Sequence, residues 1–161
     1  MDERLNPYQI SPDAYRAMSG LQRYVDGTSL PRELLELVKM RASQINGCAY
    51  CLDMHSKDAM ALGMPAQKLF VLDAWREAPF YTDQERAALE WTETLTLIAD
   101  NDVPDEVYEA VRQHFSDREM VDLTMAIVVI NGWNRLSIGF RREVGGYQSR
   151  LAKESVGAAH Q

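Results

Sequence analysis

From Ser11 to Phe140 the chain is divided by residues that start and stop helices, and no segment between them alternates apolar with polar residues as a strand would. Ser11-Pro12 caps and opens a first helix that runs to about Asp26, where Gly27 ends it. Leu30-Pro31 opens a second, which ends at Asn46-Gly47. A third begins near Cys48 and stops at Gly63, and Pro65 starts a short fourth segment to about Trp75. Thr82 with Glu85 is a capping box for a fifth helix to about Asp100, because each side chain can bond the other residue's free amide. Asp102 and Pro104 start a sixth, ending near Phe115, and a second capping box, Ser116 with Glu119, starts a long last helix to about Phe140. The expectation is an all-α bundle of about seven helices. Residues from Ser149 to Gln161 are weakly patterned and are expected to fray.

The 161 residues suit one domain spanning 1–161, and 46% apolar with 25% charged residues gives a core and a solvated surface. The formal charge of −7 repels phosphate backbones, so a nucleic-acid partner is not expected. The first ten residues, MDERLNPYQI, contain no apolar signal core, and the run Met125–Ile130 is too short to span a bilayer. A cytoplasmic chain without membrane contact is expected. In the last helix, Met120, Val121, Leu123, Met125 and the run Ile127–Ile130 leave little polar face. Such a helix must be covered on several sides, by the chain's own core or by a second copy.

The dense cluster of reactive residues is Cys48-Ala-Tyr-Cys51-Leu-Asp-Met-His55. It follows the helix break at Asn46-Gly47, so both cysteines stand at or near a helix N-terminus. Unpaired amides and the helix dipole there favour a thiolate, lowering a thiol pKa that is otherwise ~8.5. The spacing lets the two sulfurs meet on oxidation. His55 is one turn beyond Cys51 on the same face, roughly 6 Å along the axis, and roughly 10 Å from Cys48. The imidazole is therefore better placed to take the Cys51 proton, which makes Cys51 the attacking thiol and Cys48 the resolving one. Against this, Cys48 lies nearer the helix start and gains more from the dipole.

Glu36 interrupts the apolar run Leu34-Leu35-Glu36-Leu37-Val38. If the second and third helices form an antiparallel hairpin at Asn46-Gly47, Glu36 falls opposite Lys57, two residues from His55, where a carboxylate can orient the imidazole. The bland alternative is an ion pair with Lys39 or Arg32. Tyr50, between the cysteines, either contributes a hydroxyl to proton transfer or simply packs. A zinc set of Cys48, Cys51, His55 and Glu36 is also conceivable, though the second CxxC or HxxxH half common in such sites is missing. His114 and His160 lie outside the cluster. Trp75, Trp91 and Trp133 read as core or interface residues, and Asn131, Asn134 and Arg135 as caps or cross-links between helices.

Glu36, eleven intervening residues, and then Cys48-x-x-Cys51-x-x-x-His55 resemble the signature of the AhpD-like branch of the carboxymuconolactone decarboxylase superfamily. Asn131-Gly-Trp-Asn134-Arg135-Leu136 resembles a segment that follows later in those proteins. The resemblance implies an AhpD-like helical fold, commonly trimeric or hexameric. It implies an alkylhydroperoxidase for antioxidant defence, working by a dithiol/disulfide cycle without organic or metal cofactor. The second cysteine attacks the peroxide, the Glu and final His relay protons, and a dithiol reductant, protein or lipoyl-type, regenerates the pair. The best-known members carry a further His just before the second cysteine, where this chain has Tyr50. Two other readings use the same residues: a general dithiol–disulfide oxidoreductase, and a non-catalytic zinc-stabilised or redox-sensing oligomer.

Overall fold

The computed structural model describes residues 2–149 and residue 151. Among these there are eight α-helices, one 3-10 turn and no strand, so the all-helical expectation holds. The helices are α1 Pro7–Ile10, α2 Pro12–Asp26, α3 Arg32–Asn46, α4 Ala49–Ala61, α5 Ala66–Phe70, α6 Asp83–Thr96, α7 Asp105–Arg112 and α8 Asp117–Phe140, with the 3-10 turn at Leu72–Ala74.

Both capping boxes are present, Thr82 with Glu85 on α6 and Ser116 with Glu119 on α8. Several boundaries differ from expectation. The short α1 was not anticipated; Asn6 caps it through its side-chain oxygen, and Pro7 fills its first turn. Ser11 precedes α2 but makes no side-chain capping bond there. The helix expected from Pro65 to about Trp75 is two pieces, α5 and the 3-10 turn. α6 ends at Thr96 instead of about Asp100, and α7 spans only Asp105–Arg112, with Pro104 and not Asp102 as its N-cap.

α3 is the hub, packing against α4, α6 and α8. Every residue from Leu34 to Met40 on it is buried. Leu34, Leu35 and Val38 join α6, α7 and α8 in one apolar cluster with Trp91, Leu123 and Ile127. Leu37 and Met40 face a second cluster with Ala59, Leu72, Trp75 and Leu89. Two sides of α3 are thus spent on leucine packing, and Glu36 and Lys39 are carried into the interior with it. Each fully buried Leu contributes roughly 2 kcal/mol. An unpaired buried carboxylate costs several kcal/mol, so Glu36 cannot be tolerated on α3 without cationic or hydrogen-bonding partners.

The question of whether α8 is core or interface has a divided answer. Leu123, Ala126, Ile127, Val129 and Ile130 are buried in this chain, whereas Val121 and Val128, two turns apart, remain more than half exposed at 56% and 52%. Asn46, at the end of α3, donates to the side-chain oxygens of Asn131 (3.0 Å) and Asn134 (2.8 Å) of α8, and Asn134 donates to Ser43 Oγ (3.0 Å). The expected helix cross-links by Asn131 and Asn134 are therefore present. Trp75 and Trp91 are core residues of separate clusters, and Trp133 of α8 packs partly buried against the cluster that holds Trp91. The last segment expected to fray lies largely outside the described residues, as does His160.

The turn from α3 to α4 positions everything that follows. Gly47 caps α3 with φ 69° and ψ 34°, and its amide reaches back into the last turn. The Cys48 amide donates to the Ser43 carbonyl at 3.0 Å, which closes a Schellman motif. A Cβ at Gly47 would meet nothing within 4 Å, so the requirement is for the left-handed conformation and not for space. Gly47→Ala is expected to lower stability by about 1 kcal/mol in urea denaturation, and Gly47→Asn by clearly less, because Asn tolerates this region. Equal losses in both variants would mean that something other than the backbone angle is at stake.

Candidate active site

The cysteines open α4. Cys48 is its N-cap, and its Sγ accepts the Cys51 amide at 3.4 Å. The two are joined as a disulfide with Cα atoms 5.3 Å apart, so this is the oxidised form of the pair. Each cysteine is only 1% exposed. The buried residues of α4 are Cys51, His55 and Ala59, a stripe one turn apart, so the imidazole stands on the same inward face as Cys51.

Opposite this stripe stands Glu36 of α3. Its Oε2 is 2.8 Å from His55 Nδ1, and its Oε1 accepts from Lys39 Nζ at 2.9 Å. The expected antiparallel hairpin is real, but its register is shifted by two residues: Glu36 meets His55 itself and not Lys57. Lys57 instead pairs with Asp53 on its own helix. The alternative of a Glu36–Lys39 pair also holds, so one carboxylate serves both partners. It is not a surface pair, since Glu36, Lys39 and His55 are all buried.

Burial pushes the Glu36 carboxyl upward, but its interactions with His55 and with the Lys39 ammonium win and hold it down at about 2. Glu36 is therefore ionised at neutral pH, and a carboxylate can only accept. The His55 proton facing it is on Nδ1, which leaves Nε2 as the ring nitrogen free to take another proton.

Three features around the pair have no signal in the CxxC spacing. Asp58 lies one turn past His55, and donor atoms of Glu36, His55 and Asp58 come within 4.8 Å of one another. Its position three residues after His55 could have flagged it. Tyr147 follows α8 in a non-helical segment and donates its hydroxyl to both Asp58 oxygens, at 2.9 and 3.0 Å. Burial, then the Asp58 carboxylate, raises the Tyr147 phenol, so it stays a donor. The same segment is tied to α4 by Lys57 Nζ to the Tyr147 carbonyl (3.1 Å) and by the Gly145 amide to Asp53 (3.3 Å). Finally, the Arg142 guanidinium lies 3.8 Å from the Tyr50 ring centroid. Tyr50 is thus engaged as a packing ring; burial raises its phenol against the opposing Arg142 charge.

The zinc set considered from sequence is not brought together. The sulfurs are consumed in the disulfide, and the converging donors are Glu36, His55 and Asp58, of which Glu36 already holds the Lys39 ammonium. His114 is exposed, remote from the pair in sequence and just past the end of α7, where its carbonyl accepts from Gln84.

Comparison with known proteins gives the family. The model of the carboxymuconolactone decarboxylase family matches residues 12–94, which hold Glu36, both cysteines and His55. The chain belongs to that family, in its AhpD-like branch. It is 44% identical over 138 residues to the uncharacterized protein YdfG of Bacillus subtilis (strain 168), covering 86% of this chain and 94% of that one. Its fold superposes with a TM-score of 0.87 at 43% identity on ATU0492 of Agrobacterium tumefaciens, covering 91% of this chain and 100% of the other. ATU0492 is a protein of unknown function for which a role in antioxidant defence, as an AhpD, has been suggested. The debrominase Bmp8 shares the fold at 21% identity and TM-score 0.75, over 92% of this chain and 78% of its own. Among the described residues no helix is long and apolar enough to cross a membrane.

The Glu36 charge ties stability to pH. Its carboxyl is depressed in the folded chain relative to an unfolded value of about 4.3, so the stabilisation is complete above that value and is lost as pH falls toward about 2. Glu36→Gln leaves Lys39 buried without its anion and should cost about 3 kcal/mol at pH 7 in urea denaturation. The gap between variant and wild type should narrow as pH falls from 5 toward 2. A gap independent of pH would show that the carboxylate charge is not what stabilises the fold.

Proposed function

We propose that the chain is a thiol peroxidase that reduces organic hydroperoxides through a Cys48/Cys51 dithiol–disulfide cycle. One observation carries the reading: His55 shares the buried stripe of α4 with Cys51 while its Nδ1 is held by an ionised Glu36.

In the reduced enzyme, Nε2 of His55 takes the Cys51 proton, and Glu36 stabilises the imidazolium. The Cys51 thiolate attacks the distal peroxide oxygen. The O–O bond breaks, Cys51 becomes a sulfenic acid, and the alkoxide leaves as an alcohol with the proton from His55. The Cys48 thiol condenses with the sulfenic acid, forming the disulfide and releasing water. A dithiol reductant, protein or lipoyl-type, then attacks Cys51, and Cys48 departs as a thiolate received by the Cys51 amide. The reductant's second thiol then attacks its own sulfur in the mixed disulfide, closing the reductant's disulfide and displacing Cys51 as a thiolate, and the two protons of the reductant restore both enzyme thiols. The Cys51 amide donated to Cys48 Sγ thus suits Cys48 to the leaving and resolving role, while proton transfer suits Cys51 to the attacking one. No organic or metal cofactor enters the cycle.

The working form in this reading is a cytoplasmic homo-oligomer, trimeric or hexameric, with the exposed Val121 and Val128 of α8 available for a second copy. A general dithiol–disulfide oxidoreductase uses the same exchange half-reaction and omits the peroxide step.

Cumene hydroperoxide consumption with a dihydrolipoyl reductant separates the two. Wild type should turn over, Cys51→Ser should lose about a thousandfold or more in kcat/KM, and Glu36→Gln about a hundredfold. In Cys48→Ser, one equivalent of peroxide should leave a sulfenic acid on Cys51 that dimedone traps. A fully active Cys51→Ser, or a wild type that exchanges disulfides but spares peroxide, would falsify the peroxidase.

A further inference from the structure

A pocket of about 250 Å³ lies where α1, α2 and the last turns of α8 meet. Its walls include Tyr8, Tyr15, Trp133 and Phe140, with Arg142 at one side. Tyr8 and Tyr15 lie 4.1 Å apart by ring centroids and Tyr15 and Trp133 5.4 Å, so one side is a continuous aromatic surface. A cavity of roughly 150 Å³ accepts a benzene ring. This one therefore has room for a ring and a short side chain.

Arg142 makes the pocket more than an apolar hollow. Its guanidinium lies 4.9 Å from the Tyr8 ring centroid and 3.8 Å from that of Tyr50. Attraction to ring faces holds the cation in place but uses none of its five N–H donors. Among the described residues no carboxylate is ion-paired with it; Glu3 also lines the pocket but is exposed at the rim. A half-buried cation held by rings, with its donors unspent beside an aromatic wall, matches a ligand with one apolar ring and one anionic end. Tyr50 precedes Cys51, so such a ligand would lie beside the start of the dithiol helix.

We infer that this pocket binds small aromatic carboxylates, with the ring against Tyr15 and Trp133 and the carboxylate on Arg142. The site goes beyond the peroxidase reading and does not require it, because binding involves neither thiol. The test uses 3-phenylpropionate and its neutral counterpart 3-phenylpropanol, followed by Trp133 fluorescence, with Trp133→Phe to assign the signal. The acid should bind wild type about tenfold more tightly than the alcohol, the worth of one charge-assisted contact. Arg142→Met should abolish that preference, and Arg142→Lys, which keeps the charge, should retain part of it. Ala14→Phe, which fills the pocket from α2, should remove binding of both probes. Equal affinity for acid and alcohol, a preference that survives Arg142→Met, or no binding at millimolar concentration would each overturn the assignment. The last result is expected if a second copy or the chain's own end fills the pocket.

Discussion

A carboxylate enclosed between two helices sets the terms for the rest of this molecule. Glu36 sits on the one helix whose other sides are committed to leucine packing, so it cannot turn to solvent without opening both apolar clusters. Ionised and buried, it must be partnered, and the partners available are Lys39 one turn along and His55 across the turn. That requirement fixes how α4 lies against α3, and the left-handed Gly47 makes the approach possible. The orientation of the imidazole is thus a by-product of satisfying a buried charge, and the site is rigid for the same reason that it is stable.

What the sequence reveals divides along the range of the interactions. Caps act within four residues, and those at Thr82 and Ser116 are legible as written. The stripe Cys51–His55 is likewise a matter of one helical turn. Glu36 with His55 needs a register across a turn, and there a hairpin extrapolated from Asn46-Gly47 misses by two residues. Tyr147 on Asp58 and Arg142 on Tyr50 are contacts some 90 residues apart in the chain. They come from an irregular segment that has no periodicity to read. Pro65–Trp75 misled because proline and apolar spacing announce a helix without saying where the chain must turn to bring Leu72 and Trp75 into the core.

The oxidised pair is nearly closed to solvent, which in the proposed dithiol cycle bears differently on its separate steps. A disulfide formed from a sulfenic acid needs no access, since both sulfurs stand on the same helix start. Regeneration does need access, and α4 is crossed by the segment that carries Gly145 and Tyr147. That segment is held by a few polar contacts and little buried apolar surface, the kind of element that opens locally at low free-energy cost.

In the proposed peroxidase cycle, Lys39 bears on how a histidine beside a carboxylate could serve as a base. A buried carboxylate facing an imidazole alone would favour the imidazolium strongly and hold the proton permanently. Here the ammonium on the other oxygen neutralises much of the Glu36 charge. For the proposed proton transfer, a cluster of Lys39, Glu36 and an imidazole that has yet to take the proton carries no net charge before the thiol ionises. After it ionises, imidazolium and thiolate are created together and compensate each other on one face of α4. In that proposed transfer neither state leaves an unbalanced charge in the interior, which avoids the large desolvation cost that a lone buried ion would impose.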